Sequence, residues 1–142
     1  MVLKIINMQF MRYINLFRKI SYVSTTDCFV YNNTIIFAVP RDSVAKAIGK
    51  NGVNMKKIGE ILRKKIKVIE MPQECDSEND LKNFIGAIID PITFNKMDVR
   101  DNLVTISAGR QSKAALIGRG RTREKELSDI LSKSFGKSLR IA

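Results

Sequence analysis

Residues 47–52 read Ala47-Ile48-Gly49-Lys50-Asn51-Gly52, and residues 116–121 read Leu116-Ile117-Gly118-Arg119-Gly120-Arg121. The two stretches lie 69 positions apart, and the same offset aligns what surrounds them. Ile35, Phe37 and Val39 fall on Val104, Ile106 and Ala108; Ile58, Ile61 and Leu62 fall on Leu127, Ile130 and Leu131. Asn33 falls on Asn102 and Arg41 on Arg110. A strand, a short helix, a basic glycine turn and a longer helix therefore recur in the same order. Such a repeat is an internal duplication, and it governs every other reading of the chain.

Working outward, each half reads helix, strand, strand, helix, glycine turn, helix, strand. In the first half, Ile6, Phe10, Ile14 and Phe17 recur at helical spacing with Arg12, Asn15 and Arg18 between them. Residues 27–31 and 34–39 read as strands joined by a tight turn at Asn32-Asn33. Pro40 ends the second strand, and Asp42 or Ser43 is placed to cap the short helix carrying Val44, Ala47 and Ile48. A longer helix follows Gly52, with Met55, Ile58, Ile61 and Leu62 as its expected buried face. Gly59 weakens that helix by about 1 kcal/mol relative to Ala. Residues 66–69 make a third strand before Pro72.

The second half repeats the pattern. Leu81, Phe84, Ile85 and Ile88 form a helical stripe, residues 94–99 and 103–107 read as strands, and residues 111–117 as a short helix. Residues 122–135 form a longer helix with Leu127, Ile130, Leu131 and Phe135 inward, and residues 138–141 a last strand. Three strands per half make one mixed sheet with helices on one face, an α+β domain. The expected domains are residues 1–72 and 81–142, with 73–80 as a short acidic linker.

The chain has 142 residues, 44% of them hydrophobic, and a formal charge of +11. Two units of about 70 residues lie near the lower limit for independent folding. Residues 1–72 hold 13 basic and 4 acidic side chains, a net of +9, against 12 and 10 in residues 73–142, a net of +2. The excess favours a polyanion. Cys28 and Cys75 have no metal-ligand spacing and suit two isolated small thiols. No apolar run reaches 18 residues, and the start has no secretory pattern, so a cytoplasmic protein with no membrane partner is expected.

The turn at Gly49-Lys50-Asn51-Gly52 has the chemistry of a phosphate seat. Glycine closing one helix admits a left-handed backbone, and the helix that starts at once has unpaired amides in its first turn. Those amides and the helix dipole attract an anion, and Lys50 adds a positive charge. One Gly-x-x-Gly is an ordinary steric joint between helices. Two copies, both basic and with the same flanks, favour a binding role.

This arrangement resembles the KH domain of the second topological type, whose Gly-x-x-Gly loop clamps about four unpaired nucleotides. More narrowly, the chain resembles the archaeal NusA-like transcription factors, a family of compact KH pairs. The resembling stretches are residues 13–17, 27–33, 34–40, 47–52 and 116–120. The resemblance implies Gly49, Lys50, Asn51 and Gly52 as a first RNA-contacting loop and matches Gly118 and Arg119 to the start of a second. Gly120 and Arg121 in that second loop, and Ile48 and Ile117 as groove residues, complete the candidate RNA-binding set. Arg41, Arg110 and Lys56 are candidates to extend it, each equally an ordinary solvated charge. Val39, Ile58 and Ala108 are candidate groove residues that also suit a core. Arg121 departs from the family pattern, which has its final glycine there. It either offers a guanidinium to a phosphate or blocks the close approach of a strand, and Gly120 is placed to absorb the unusual backbone angle.

Catalysis is not expected. The chain has no histidine, the commonest general base near neutral pH. Neither loop has P-loop spacing, and there is no dinucleotide fingerprint. No cofactor or metal is expected. The glycine-rich joint and short first helix differ from a recognition helix for duplex DNA. No exposed aromatic platform is apparent. The resemblance implies single-stranded RNA as partner, a role in transcription termination or antitermination, and contact with RNA polymerase; ribosomal components are the other candidate partner. The competing reading is a KH-fold protein-interaction or ribosome-associated module with little RNA binding of its own. The sequence sets no oligomeric state.

Overall fold

A computed structural model of the chain describes residues 8–25, 27–72 and 78–142. Ile6, Cys75 and the acids Glu74 and Asp76 lie outside the described residues. Two compact units divide between Met71 and Pro72.

In the first unit, α1 (Met8–Ser21) precedes β1 (Asp27–Tyr31), β2 (Thr34–Val39), α2 (Val44–Ile48), α3 (Val53–Leu62) and β3 (Lys65–Glu70). The sheet order is β1-β2-β3. The hairpin partner β1 runs antiparallel to β2, with Cys28 opposite Phe37. β3 returns after the helix pair and runs parallel to it, with Phe37 beside Val68, as a crossover connection allows. Asn32 and Asn33 both have positive φ, 52° and 59°, the backbone of a tight type I′ hairpin.

Alternation along β2 sends Ile35, Phe37 and Val39 into the helix layer, where they join Tyr13, Phe17, Val23, Ala47 and Ile58 in one buried cluster. Phe17 stacks on Phe37 at 4.4 Å. The buried stripe of α1 is turned from the expected one. Tyr13 is buried and Ile14 only half so, because Phe10, Tyr13, Phe17 and Ile20 keep the three-four-three spacing of a single face. Gln9 Nε2 donates to the Tyr13 hydroxyl at 2.7 Å, which lets the ring enter the core with its polar end satisfied. The expected face of α3 is also narrower. Ile58 is fully buried, but Ile61 is 53% exposed, since it stands on the flank of the stripe set by Met55, Ile58 and Leu62. Gly59 lets the chain double back, for a Cβ there would lie 3.3 Å from the carbonyl oxygen of Lys64.

The second unit repeats the order with α4 (Glu78–Ile89), β4 (Lys96–Arg100), β5 (Leu103–Ser107), α5 (Arg110–Ile117), α6 (Thr122–Phe135) and β6 (Ser138–Ile141). β5 is central, antiparallel to β4 and parallel to β6. Helix α4 begins at Glu78, so residues 78–80, expected in the linker, form its first turn. Strand β4 starts at Lys96 rather than Phe94. Val104, Ile106, Leu116, Leu127, Ile130 and Leu131 are buried, and Phe84 meets Phe135 edge-on at 5.1 Å. Helix α6 has 14 residues and α3 has 10. The extra turn moves β6 four residues beyond the 69-residue offset.

Among the described residues, no helix is long and apolar enough to cross a membrane, and no group of three or more His, Cys, Asp or Glu side chains could hold a metal ion. Burial, and then the neighbouring Asp27 carboxylate, push the Cys28 thiol from 9.0 up to about 12.

Two outcomes follow from this packing. Ile58→Ala is expected to lower stability by about 2–5 kcal/mol, and Ile61→Ala by no more than about 0.5 kcal/mol, in urea unfolding. In a Cys75→Ser background at pH 8, Cys28 should alkylate roughly a thousandfold more slowly than a free thiol, because so little thiolate is present. The raised value also fixes a sign. The neutral thiol's contribution to stability is intact below pH 9.0 and is lost as pH rises toward about 12, and Cys28→Ala removes that component.

Candidate nucleic-acid interface

The two glycine turns have the same backbone although their sequences differ. Gly49 closes α2 with φ 82° and ψ 168°, and Gly118 closes α5 with φ 75° and ψ 173°. This region is open essentially to glycine alone. Each glycine amide still donates into its helix, Gly49 to Ala45 O at 3.0 Å and Gly118 to Ala114 O at 2.9 Å.

One turn of 3₁₀ helix follows, Lys50–Gly52 in the first unit and Arg119–Arg121 in the second. Within it two consecutive residues are left-handed. They are Asn51 (φ 56°) and Gly52 (φ 72°) in the first turn, Gly120 (φ 63°) and Arg121 (φ 61°) in the second. The pair is thus Asn-Gly in one copy and Gly-Arg in the other. Arg121 keeps the backbone that Gly52 has, with ψ 23° against 22°.

Each turn is closed by a hydrogen bond from its third residue to the glycine that opens it. Gly52 N donates to Gly49 O at 3.1 Å, and Arg121 N to Gly118 O at 3.2 Å. The first amides of such a turn, those of Lys50 and Asn51 or Arg119 and Gly120, have no partner within it. Lys50, Asn51, Arg119, Gly120 and Arg121 are all exposed. Free donors, a helix start and a solvated cation therefore share one small surface in each unit.

The residue five positions after each glycine braces the turn, a feature the sequence pattern had not singled out. Asn54 lies over Gly49 and its Nδ2 donates to Lys46 O at 3.2 Å, tying the start of α3 to the end of α2. Arg123 takes the same place over Gly118 and pairs with Glu126 at 3.1 Å. In the second turn Thr122 Oγ1 also donates to Arg119 O at 2.7 Å. The only advance sign of this brace was that the offset pairs Asn54 with Arg123.

The remaining candidates separate. Ile48 and Ile117 are half-buried at the inner edge of their turns, and Ala108 is half-buried. Val39 and Ile58 are fully buried in the core cluster, so they are not groove residues. Arg41 is exposed and lies 3.9 Å from Glu70 Oε1, a solvated pair of little energetic weight. Arg110 opens α5 and is exposed; Lys56 is on the exposed face of α3. An open polar cleft of about 590 Å³ lies elsewhere, among Asn32, Asn33, Gly59, Arg63, Lys64 and Lys65. It sits at the far end of α3, about 15 Å from the turn by helical rise.

The glycines make unequal demands, and substitution should show it. A Cβ on Gly118 would meet Arg123 Cγ at 2.5 Å and the Arg123 backbone nitrogen at 3.0 Å, whereas a Cβ on Gly120 meets nothing within 4 Å. Gly118→Ala is expected to destabilise its unit more than Gly120→Ala. Arg121→Gly, which relieves a left-handed arginine, is expected to stabilise it by about 1 kcal/mol. Thermal unfolding of the three variants checks the order.

Residues 11–73 match the KH domain model. The chain is similar to the probable transcription termination protein NusA of Methanocaldococcus jannaschii, 33% identical over 87 residues, which is 61% of this chain and 44% of that protein. It is similar to the protein of the same name from Methanococcus vannielii, 31% identical over 109 residues, which is 74% of this chain and 60% of that protein. The chain thus spans less than two thirds of the length of these two relatives. The crystal structure of APE1850 superposes with a TM-score of 0.66 at 29% identity, covering 96% of this chain and all of that one. Residues 11–73 thus carry the likeness to a KH domain, and the chain is similar to archaeal proteins named NusA.

Proposed function

We propose that this protein binds single-stranded RNA, with the Gly49–Gly52 turn as the principal clamp and the Gly118–Arg121 turn as a second, and that it acts on transcripts in the control of transcription termination or antitermination. The observation that carries the reading is the shared backbone of the two turns. Different residues in the two copies hold the same left-handed pair and set a cation at the same position, Lys50 or Arg119.

In this reading a phosphate rests against the unpartnered amides at the head of the turn, where the helix dipole and the cation both favour it. Glycine at position 52, where a Cβ would meet nothing within 4 Å, leaves room for the sugar-phosphate backbone. Bases then lie toward Ile48, or Ile117 in the second unit. Arg41, Lys56 and Arg110 widen the positive field without fixing a sequence, because phosphate contacts position a strand and base contacts specify it. The binding involves no reaction and no cofactor. The transcriptional half of the proposal is motivated by the names of the two relatives; RNA polymerase as a protein partner follows from the family resemblance, and ribosomal components from the competing reading.

Competition between an unpaired oligonucleotide and its duplex tests the clamp. The single strand is expected to bind tighter, with log K falling as log salt rises. Lys50→Asp with Asn51→Asp should weaken binding about tenfold or more and flatten the salt slope by about 0.7 for each phosphate no longer neutralised. These positions suit the test better than Gly49, where any Cβ would lie 2.9 Å from Asn54. Aspartate, like asparagine, tolerates the left-handed backbone of residue 51. Duplex affinity equal to or above that of the single strand would contradict the clamp and favour a protein-interaction module.

A further inference from the structure

Tyr22 is the most exposed large apolar residue described, at 80% of its full accessibility. It is also left-handed, with φ 59°. A bulky aromatic side chain in that region is a genuine outlier, since glycine or asparagine is the usual residue where a helix ends this way. Its amide donates to Arg18 O at 2.9 Å, closing α1.

The neighbours on either side are fixed. Ser21 is 3% exposed and Val23 5%. Ser21 Oγ donates to Phe17 O at 2.7 Å and accepts from Val23 N at 3.1 Å. A buried residue on each side therefore holds a ring in solvent, at a backbone angle that the ring itself disfavours. Arg18 and Lys19, both exposed, occupy the preceding turn of α1.

Topology puts this ring at the end of the unit that carries the glycine turn. The segment leading into β1 is tied to the end of β2, since Thr25 Oγ1 donates to Ala38 O and Asp27 pairs with Ala38. The chain leaves β2 at that same end and passes through the five-residue α2 into Gly49. Helix α3 then carries it away to the start of β3, beside Thr34. Aligned by the offset, the second unit has Pro91 where the first has Tyr22. The feature belongs to the first unit alone.

We infer that Tyr22 is a stacking platform for an unpaired base of the strand held at the Gly49–Gly52 turn, with Arg18 and Lys19 drawing in the adjoining phosphates. Aromatic side chains bordered by cations bind single strands in this manner, and the ring face accepts any base. The inference rests on the clamp reading of the turn and adds a base contact that the turn itself does not supply. The exposure of Tyr22 is a feature that the sequence pattern does not show.

The chain contains no tryptophan, so Tyr22→Trp introduces a single fluorescent reporter on the site. The full chain is titrated with an unpaired 12-nucleotide RNA, following anisotropy of the labelled RNA and indole emission in parallel. The indole should be quenched along the same curve as the anisotropy. Tyr22→Gly separates stacking from helix capping. It is expected to raise the melting temperature by relieving the left-handed backbone, and to weaken RNA binding roughly 5- to 100-fold with the salt slope unchanged. RNA binding without quenching, or a Tyr22→Gly variant that gains stability and keeps its affinity, would overturn the stacking role and leave the clamp standing. Quenching and affinity that survive Lys50→Asp with Asn51→Asp would instead overturn the clamp. Absence of any RNA binding would overturn both.

Discussion

The molecule depends on a backbone conformation that one residue type can hold. Gly49 and Gly118 combine a positive φ with ψ near 170°, and the space a side chain would need is already taken by Asn54 in one unit and by Arg123 in the other. Because the chain turns there, α2 and α5 stop after a few residues, and the next helix starts within one 3₁₀ turn. The same bend leaves the amides of that turn unpartnered within it and its cation in solvent. Fold and candidate site thus share one cause. Any residue that repaired the helix joint would also remove the unpartnered amides of the candidate site.

The two copies diverge where this constraint does not reach. The left-handed pair after the glycine is Asn51-Gly52 in one and Gly120-Arg121 in the other, and the strain of a left-handed arginine is tolerated in the second. Helix α6 gains a full turn over α3. Behind the first sheet, Phe29, Ile36, Ala38 and Ile69 are buried; the matching face of the second sheet carries Asp98, Arg100, Thr105 and Arg140. The first unit holds most of the net positive charge, the cleft with Arg63, Lys64 and Lys65, and the exposed ring of Tyr22. These differences make the first unit the better equipped for a polyanion, although both turns have the same backbone.

Much of this was legible in the sequence, for identifiable reasons. Strong β-branched runs and the Asn-Asn turn marked β1 and β2, and glycine marked the ends of α2 and α5. The repeat made each half a check on the other. What was hidden depended on side-chain placement. The sequence favours Ile14 over Tyr13 for burial because a hydroxyl counts against burial unless a partner such as Gln9 satisfies it. Periodicity alone puts Ile61 in the core because a helical stripe has soft edges. Val39 and Ile58 looked eligible for a groove, and only the packed sheet-helix layer shows them sealed. Neither the left-handed backbone of Tyr22 nor its exposure has a signal in the local pattern. The equivalence of Arg121 and Gly52 was likewise invisible, because sequence shows a missing glycine and not a retained dihedral angle.

The central claim is that an unpaired strand sits on the amides of the glycine turn. Backbone amide chemical-shift mapping with a short unpaired oligoribonucleotide addresses those atoms directly. The account predicts that the largest shifts fall on Lys50, Asn51 and Gly52, with Arg119, Gly120 and Arg121 moving in the second unit. Shifts confined to other surfaces, with the amides of residues 50–52 unmoved at saturation, would contradict it.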